Sequence, residues 1–177
     1  MAIELYVPEL PDLWFREKLL SDPETMSYNR GYELGFPEYH NDTGCIDFPK
    51  ENWDGWYRKW VHAEPERFYA FLRETETGDF LGEVNLFQTE ELGVYEMGIV
   101  LHSARRGKGY AQAGLRLLLQ VAFEKLQAQK VTNCFEESRK AALRIHLAAG
   151  FQIEAEEDGL LHLAVMRETD RKELRSW

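Results

Sequence analysis

Two glycines and three cationic side chains stand within five consecutive residues, in the run Arg105-Arg106-Gly107-Lys108-Gly109. Glycine lets a backbone approach a phosphate closely, and the first amides of a helix carry the positive end of its dipole. If a helix starts directly after Gly109, its first amides and these cations converge on one point and can bind an anion there. A diphosphate is the anion that best suits such a site. A tight turn surrounded by solvated cations would use the same residues.

A change of hydrophobic period predicts a strand before this run and a helix after it. Between Tyr95 and Leu101, apolar residues occupy alternate positions, which is the period of a strand with one buried face. From Ala111 the apolar positions recur every three or four residues, which is the period of a helix. The glycine-rich run therefore joins a strand to a helix. The helical apolar positions are Leu115, Leu118, Leu119, Ala122 and Leu126.

The run departs from two familiar phosphate motifs. The third position after Gly109 is Gln112, so Gly-x-Gly-x-x-Gly is absent, and no Gly-x-x-x-x-Gly-Lys-Ser/Thr occurs. What Arg106 to Ala111 resembles is the acetyl-CoA-binding signature of the GNAT acetyltransferase superfamily, Arg/Gln-x-x-Gly-x-Gly/Ala. The strand from Glu96 to Ile99 extends the resemblance. So does the ending from Leu143 to Phe151, which looks like the family's last helix closing in Gly-Phe.

The resemblance covers essentially the whole chain and implies an α+β fold. The implied architecture is the GNAT fold, a central mixed and mostly antiparallel sheet that is splayed in the middle and flanked by helices, in one domain over residues 1–177. In that family the strand carrying Gly98 to Leu101 bulges and parts from the next strand, here Lys130 to Phe135. The pantetheine arm enters the gap and pairs with strand amides like an added strand.

Acetyl-CoA is the co-substrate that the resemblance implies. Its diphosphate is expected on the amides from Gly107 to Ala111, with Arg106 and Lys108 nearby. Backbone near Val100 is expected to hold the thioester oxygen. The residues expected at the cofactor are Ile99, Val100, Leu101, Arg106, Gly107, Lys108, Gly109, Tyr110, Ala111 and Arg139, the last of which stands where many relatives have asparagine.

Deprotonation of the amine is the main demand on the catalytic residues. An alkylamine with a pKa of about 10.4 is neutral only about one time in 2,500 at pH 7. Glu96, on the strand face opposite Met97, is the first candidate base, acting directly or through water. An acid is worth less, because a CoA thiolate is already a tolerable leaving group. His146, where many relatives have a tyrosine that protonates this thiolate, is the second candidate, and a core histidine would fit its apolar helix face equally well.

The segment from Met26 to Asp47 lacks sustained periodicity and is rich in glycine, proline and tyrosine. A loop of this length in a compact domain is usually functional or contains unrecognised short helices. Its polar and aromatic side chains are candidates for an acceptor-site wall, and packing of a surface loop explains them equally well. These candidates are Tyr28, Tyr32, Glu33, Tyr39, His40 and Asp42.

The rest of the chain completes the predicted elements. Prolines 11 and 49 open helices that run to Leu20 and to about His62, and the aromatic stripe of the second is interpreted as core. Ser138 is predicted to cap a helix that Gly150 ends, and the charged tail from Arg167 is predicted to be helical or frayed. The predicted strands are Ile3 to Val7, a meander of Phe68 to Arg73, Phe80 to Phe87 and Tyr95 to Leu101, then Lys130 to Phe135, Phe151 to Ala155 and Leu160 to Met166.

Composition bounds the possible classes of protein. The chain has 177 residues, of which 44% are hydrophobic and 29% charged, as is usual for a soluble globular domain, and neither a membrane span nor a signal peptide is indicated. The cytoplasm is the expected location. Cys45 and Cys134 lack metal-ligand or disulfide-scaffold spacing, so no metal is expected. The net charge of -10 argues against nucleic acid and is compatible with cationic acceptors or with solubility alone.

Together these features predict an acetyl-CoA-dependent N-acetyltransferase. It would transfer acetyl to a primary amine, such as a small cation or an amino acid, by direct attack in a ternary complex, because no cysteine or serine has a recognisable base partner. Acetylation of a protein N-terminus and a non-catalytic acyl-CoA-binding regulatory domain remain alternatives. The expected partners are the amine and acetyl-CoA, without nucleic acid or membrane, and the protein is expected to be a monomer or a homodimer.

Overall fold

A computed structural model describes residues 2–167, and the predicted tail beyond Arg167 lies outside this range. A seven-stranded sheet with the order β1-β2-β3-β4-β5-β7-β6 forms its centre, and α-helices flank it. The α+β prediction is therefore confirmed. The elements are β1 Ile3–Tyr6, α1 Trp14–Ser21, α2 Trp53–Trp60, β2 Arg67–Glu74, β3 Phe80–Gln88, β4 Val94–Leu101, α3 Tyr110–Gln120, β5 Lys130–Glu136, α4 Lys140–Ala148, β6 Gln152–Glu157 and β7 Leu160–Met166.

The sheet consists of two antiparallel blocks joined by one parallel pair. Strands β1 to β4 form an antiparallel series, which includes the predicted meander, and β5, β7 and β6 form another. Between the blocks, β4 and β5 pair in parallel at only three positions, of which Glu96 opposite Thr132 is the last. Beyond Glu96 the two strands part, so the predicted splay is confirmed.

The splay arises without a bulge in β4. From Gln88 opposite Tyr95 to Gly82 opposite Leu101, the β3–β4 register is uninterrupted, so the expectation of a bulge from Gly98 to Leu101 is wrong. The strands diverge because β5 stays paired with β7 along its whole length, from Lys130 to Glu136, while β4 stays paired with β3. Each strand follows its antiparallel partner, and the short parallel contact opens into a fork.

Each face of the sheet carries its own hydrophobic core. One core packs α3 onto β2, β3 and β4 through side chains such as Leu72, Leu86 and Leu115, which are 0% exposed. The other packs α1 and α2 onto the opposite face around Phe15 and Phe71. Alternate residues of one strand therefore serve different cores, as period-two alternation requires.

The helices agree with the predictions apart from their ends. The aromatic stripe of α2 is core, as predicted, because Trp53 is buried and Trp56, Tyr57 and Trp60 pack on the second core. Short 3-10 turns precede α1 and α2, and a π turn over Val121–Lys125 follows α3. Ser138 is not the cap of α4, because Arg139 holds that position and no side chain caps it. Within residues 2–167, none of the helices combines the length and apolarity that crossing a bilayer requires.

Candidate active site

The glycine-rich run forms the loop that leads into α3. Gly109 is the N-cap residue of that helix with φ +82°, and Gly107 has φ +75°, so both occupy the left-handed region that suits glycine. A Cβ atom built on either would meet no atom within 4 Å, so the space above the loop is open. The first amides of α3 have no carbonyl of a preceding turn to bind and are available to an anion.

Side chains that flank the loop hold it in place. The Arg106 guanidinium donates to the carbonyl oxygens of Glu24 and Thr25 at 3.3 and 2.7 Å, which ties the loop to the segment after α1. Tyr110 donates from its hydroxyl to Glu74 at 2.7 Å. Arg106 therefore helps to position the loop with two of its hydrogen-bond donors, and Lys108 is exposed beside the open space.

A second set of contacts holds the connection between β4 and α3 against the segment that follows α1. Ser103 donates from its backbone N–H to the Thr25 hydroxyl at 2.9 Å and from its own hydroxyl to Asp22 at 3.0 Å. Asp22 also accepts from the Thr25 hydroxyl, and these hydrogen bonds lower the pKa of its carboxyl although burial opposes them. The carboxylate thus fixes the β4–α3 connection to the end of α1.

One edge of β4 is unpaired where the fork opens. Just past its end, the His102 N–H donates to the Leu81 carbonyl at 3.0 Å and so points toward β3. Because backbone directions alternate along a strand, Val100 also faces β3, and the backbone groups of Ile99 and Leu101 face the gap. Backbone groups near Val100 were expected at the thioester, and those that face the gap belong to Ile99 and Leu101.

Glu96 stands at the vertex of the fork. It is the last β4 residue paired with β5, and its exposed side chain lies on the face of the second core, opposite Phe87 of β3. Although the side chain is exposed, the neighbouring protein atoms remove part of the water around its carboxyl, which raises the pKa of Glu96. The carboxylate is thus a stronger base than an ordinary glutamate at the point where the two blocks of the sheet separate.

Asn85 lies on the same face of the sheet as Glu96 and was not singled out from the sequence. It is opposite Gly98 in the β3–β4 register, and a Cβ at Gly98 would stand 2.7 Å from its Nδ2 atom. Glycine at position 98 is what lets the Asn85 amide lie over the β4 backbone. No pattern in a single strand predicts this contact, because it depends on which residue of β4 the register places opposite.

The second catalytic candidate, His146, lies inside the first core. Its side chain is 1% exposed, its Nδ1 donates to the Ala142 carbonyl at 2.8 Å, and its Nε2 accepts from Asn133 at 2.9 Å. Phe135 and Phe151 flank the ring, each 4.9 Å away between centroids. Burial lowers the pKa of the imidazole, so it is neutral near pH 7. These contacts fit a core histidine.

Arg139 lies at the start of α4, between a loop residue and the part of β5 that diverges from β4. Its guanidinium lies 4.8 Å from the Tyr28 ring centre and 5.6 Å from that of Phe135. Among the six loop residues considered for the acceptor wall, Tyr28 is therefore placed near the diverging part of β5 through Arg139. Burial raises the pKa of its hydroxyl, and Glu83 adds to that rise while Arg139 opposes it.

The other candidates in the loop mostly serve the loop itself. The Tyr39 hydroxyl donates to Asn29 at 2.6 Å and accepts from the Tyr32 amide at 3.1 Å. His40 pairs with Asp47 at 2.9 Å. Tyr32, Glu33 and Asp42 are exposed, so their role at an acceptor site stays a prediction.

A buried ion pair joins α1 to the sheet on the same face as Glu96. Arg16 binds one carboxylate oxygen of Glu83, and the Tyr69 hydroxyl donates to the other. Arg16 also lies over the Trp56 ring, 4.3 Å from its centre. The sequence offered one signal for this cluster, a glutamate among the apolar residues of a central strand.

Within the described part of the chain, residues 2–167, no group of three or more histidine, cysteine or acidic side chains is arranged to hold a metal. The features of the candidate site are a glycine-rich loop at the N-terminus of α3, an unpaired strand edge and one exposed carboxylate at the vertex of the fork. These are the parts needed to hold a long phosphorylated ligand along β4 and to remove a proton at its far end.

Comparison with known proteins gives a family. The protein-family model described as "Acetyltransferase (GNAT) domain" matches residues 4–152. Bacillus subtilis (strain 168) YkkB is 27% identical over 130 residues, which are 72% of this chain and 67% of that protein. A GNAT-family acetyltransferase from Bacillus anthracis superposes with a TM-score of 0.71 at 15% identity, covering 94% of this chain and 95% of the other.

A spermidine N-acetyltransferase from Vibrio cholerae, solved with CoA and spermine, has a TM-score of 0.72 at 18% identity and covers 93% of this chain and 95% of its own. At such identities the superpositions show the shared fold, and the family model, which spans most of the chain, shows the membership. The chain belongs to the GNAT family of acetyltransferases.

Proposed function

We propose that the protein transfers acetyl from acetyl-CoA to a small primary amine. The observation that carries this proposal is the fork, where β4 leaves β5 after Glu96 and presents unpaired backbone groups between the α3 loop and that carboxylate. The family uses acetyl-CoA, and the Vibrio cholerae relative was solved with CoA and the amine spermine. The first supports acetyl-CoA as the donor, and the second supports a small amine as the acceptor.

The residues of the fork suit the parts of acetyl-CoA. Amides from Gly107 to Ala111 would hold the diphosphate, with Lys108 beside it, and Arg106 would keep the loop in shape. The backbone of Ile99 and Leu101 would pair with the pantetheine amides, as an edge strand pairs with an added strand. Arg139, at the mouth of the gap, would stand near the same ligand. Acetyl-CoA supplies the acetyl group as a thioester.

Glu96 is the base in this proposal. Its carboxylate accepts the proton of the ammonium acceptor, directly or through water, so that the neutral nitrogen attacks while both substrates are bound. A β4 amide that faces the gap donates to the carbonyl oxygen on which charge develops. The new C–N bond replaces the C–S bond, the thiolate leaves, and the second proton lost by the nitrogen goes to that thiolate or to water. Burial and the nearby Glu96 raise the pKa of the Cys134 thiol, which disfavours a route through that residue.

Thiol release from acetyl-CoA across small amines, amino acids and peptides tests this function. Turnover of at least one small amine is expected, together with saturable binding of CoA. Binding of CoA without turnover on any amine would support a regulatory module instead, and a preference for peptides would support N-terminal protein acetylation.

Replacing Gly109 by valine should weaken CoA binding by roughly 10-fold or more, because a left-handed β-branched residue strains the loop and its side chain enters the open space above it. Isothermal titration with CoA measures the effect. Gly159→Val is the matched control, since Gly159 has φ +78° and open space around it but lies in the β6–β7 turn. Equal losses of CoA affinity in the two variants would contradict a phosphate-binding role for the loop.

His146→Phe should destabilise the protein and leave the chemistry largely intact. The substitution leaves Asn133 and the Ala142 carbonyl without their partner in the core, which should cost about 1–3 kcal/mol of unfolding free energy. Urea unfolding measures that loss, and kcat per folded molecule should stay within a few-fold of wild type. If turnover instead dropped by roughly two orders of magnitude while stability stayed unchanged, the acid role predicted for His146 would be supported.

A further inference from the structure

We propose, building on the proposed function, that the acceptor is a monoamine with an apolar body beside its amino group, and not a polyamine. The proposal rests on the side chains that β2, β3 and β4 direct at the face carrying Glu96. Between Arg67–Phe71, Glu83–Phe87 and Glu96–Val100, two of these side chains are acidic, Glu83 and Glu96. Their surroundings differ, and that difference decides the class of acceptor.

Aromatic side chains border Glu96 on the side of α2. Phe87 is its direct neighbour across the β3–β4 pair, where side chains on one face lie about 5 Å apart. The Trp60 ring meets Phe87 edge-on at 6.2 Å, and Trp56 stacks on Trp60 at 6.1 Å. All three rings are partly exposed, so an apolar group attached to the amine can bury surface against this aromatic wall, Phe87, Trp60 and Trp56.

The second carboxylate is already satisfied. Both oxygens of Glu83 accept hydrogen bonds within the fold, one from Arg16 and one from Tyr69, and Glu83 is 4% exposed. Glu83 lies four positions from Phe87 along β3, which is about 13 Å at the rise of a strand. A second ammonium directed at this carboxylate would find its oxygens occupied.

Arg16 makes the same region unfavourable for a second cation. Its guanidinium is buried against Trp56 and carries its charge at any physiological pH, because the adjacent Glu83 raises its pKa although burial acts in the opposite sense. A further ammonium would meet a like charge without a free counter-ion on this part of the sheet. The net charge of -10 attracts cations in general, but of the two acidic side chains that β2, β3 and β4 direct at this face, Glu83 is paired with Arg16 and Glu96 is left for the acceptor.

A matched pair of acceptors tests the proposal. n-Pentylamine and cadaverine have the same five-carbon chain and differ by the second amino group, so their kcat/KM ratio isolates its effect. Thiol release from acetyl-CoA should give n-pentylamine a kcat/KM at least roughly 10-fold above that of cadaverine. A ratio of one or less, or a preference for spermidine over both, overturns the proposal while leaving the acetyltransferase function in place.

The aromatic wall is tested with Phe87→Ala and two acceptors of different size. The variant should lower kcat/KM for 2-phenylethylamine roughly 10-fold, while ethylamine, whose short chain makes little contact with the ring, should change less than about 3-fold. Ile153→Ala is the control variant, because it removes an apolar side chain that is 47% exposed on β6. It should leave kcat/KM unchanged for both acceptors.

The outcomes separate the two proposals. Equal losses of kcat/KM for 2-phenylethylamine and ethylamine in Phe87→Ala, with unchanged CoA affinity, would overturn the role of the wall. Absence of turnover on every amine with CoA still bound would overturn the proposed function and the acceptor class with it.

Discussion

Replacing Glu96 by glutamine is expected to lower kcat/KM for amine acetylation by roughly 10²- to 10⁴-fold, the usual contribution of a general base. Glutamine keeps the shape of the side chain at the vertex of the fork and cannot accept the ammonium proton. CoA affinity should be unchanged, because the residues proposed for the diphosphate lie in the loop before α3. Initial rates of thiol release and a CoA titration measure the two quantities.

The pH profile distinguishes this role from a structural one. In the wild type, kcat/KM should rise as Glu96 ionises, around a pKa that burial holds above the ordinary glutamate value, and then level off. In Glu96→Gln the rate should keep rising toward the amine pKa of about 10.4, because the neutral amine is then supplied by solution chemistry alone. Identical profile shapes in the two proteins would remove Glu96 as the base.

The same pKa shift predicts the sign of the effect on stability. A carboxyl whose pKa is raised by folding binds its proton more tightly in the folded state, so stability falls as the pH rises from the unfolded to the folded pKa. Glu96→Gln removes that penalty and should be as stable as the wild type at pH 7, or more so. Glu90→Gln, the same change at an exposed position in the β3–β4 turn, should alter neither rate nor stability.

Breaking the buried Arg16–Glu83 ion pair should lower the free energy of unfolding more than any other substitution proposed for this protein. Arg16→Met leaves the Glu83 carboxylate buried without its counter-ion, which should cost about 3–5 kcal/mol of unfolding free energy. Urea unfolding monitored by tryptophan fluorescence measures this loss. The side chains are only 16% and 6% exposed, so water cannot replace the lost partner in place.

A second substitution separates charge from packing. The double variant Arg16→Met/Glu83→Gln removes both charges. The side-chain amide oxygen at position 83 can still accept a hydrogen bond from the Tyr69 hydroxyl, so most of the lost stability should return. A double variant no more stable than Arg16→Met, or a single variant within about 1 kcal/mol of wild type, would show that the pair is not what anchors α1 to the sheet.

Local patterns were sufficient to predict the strands, the helices and the glycine-rich loop that joins β4 to α3. The change of period around Gly107 and Gly109, and the alternation along β4, are properties of neighbouring residues, because helix and strand place side chains at fixed intervals. The resemblance carried by Arg106 to Ala111 supplied the order of elements and the splay. Both predictions of fold and family are confirmed.

Roles that depend on residues far apart in the chain were beyond such patterns. Arg106 was predicted near the diphosphate, and its guanidinium also donates to the carbonyls of Glu24 and Thr25, which lie about 80 positions earlier and which no local pattern identifies. His146 could have been an acid or part of the core, and its hydrogen bond to Asn133 of another element favours the core. A sequence shows which side chains can form such hydrogen bonds, but it does not show which distant residues they will meet.

The sequence by itself determined which segments become strands and helices, and where the glycine-rich loop between β4 and α3 lies. Tertiary structure decided that β4 parts from β5 without a bulge, that Glu96 stands at the vertex of the fork, and that Glu83 is neutralised while Glu96 is free. The reason is physical. Secondary structure follows from contacts within a few residues, whereas register, charge pairing and burial are set by which distant strands and helices meet.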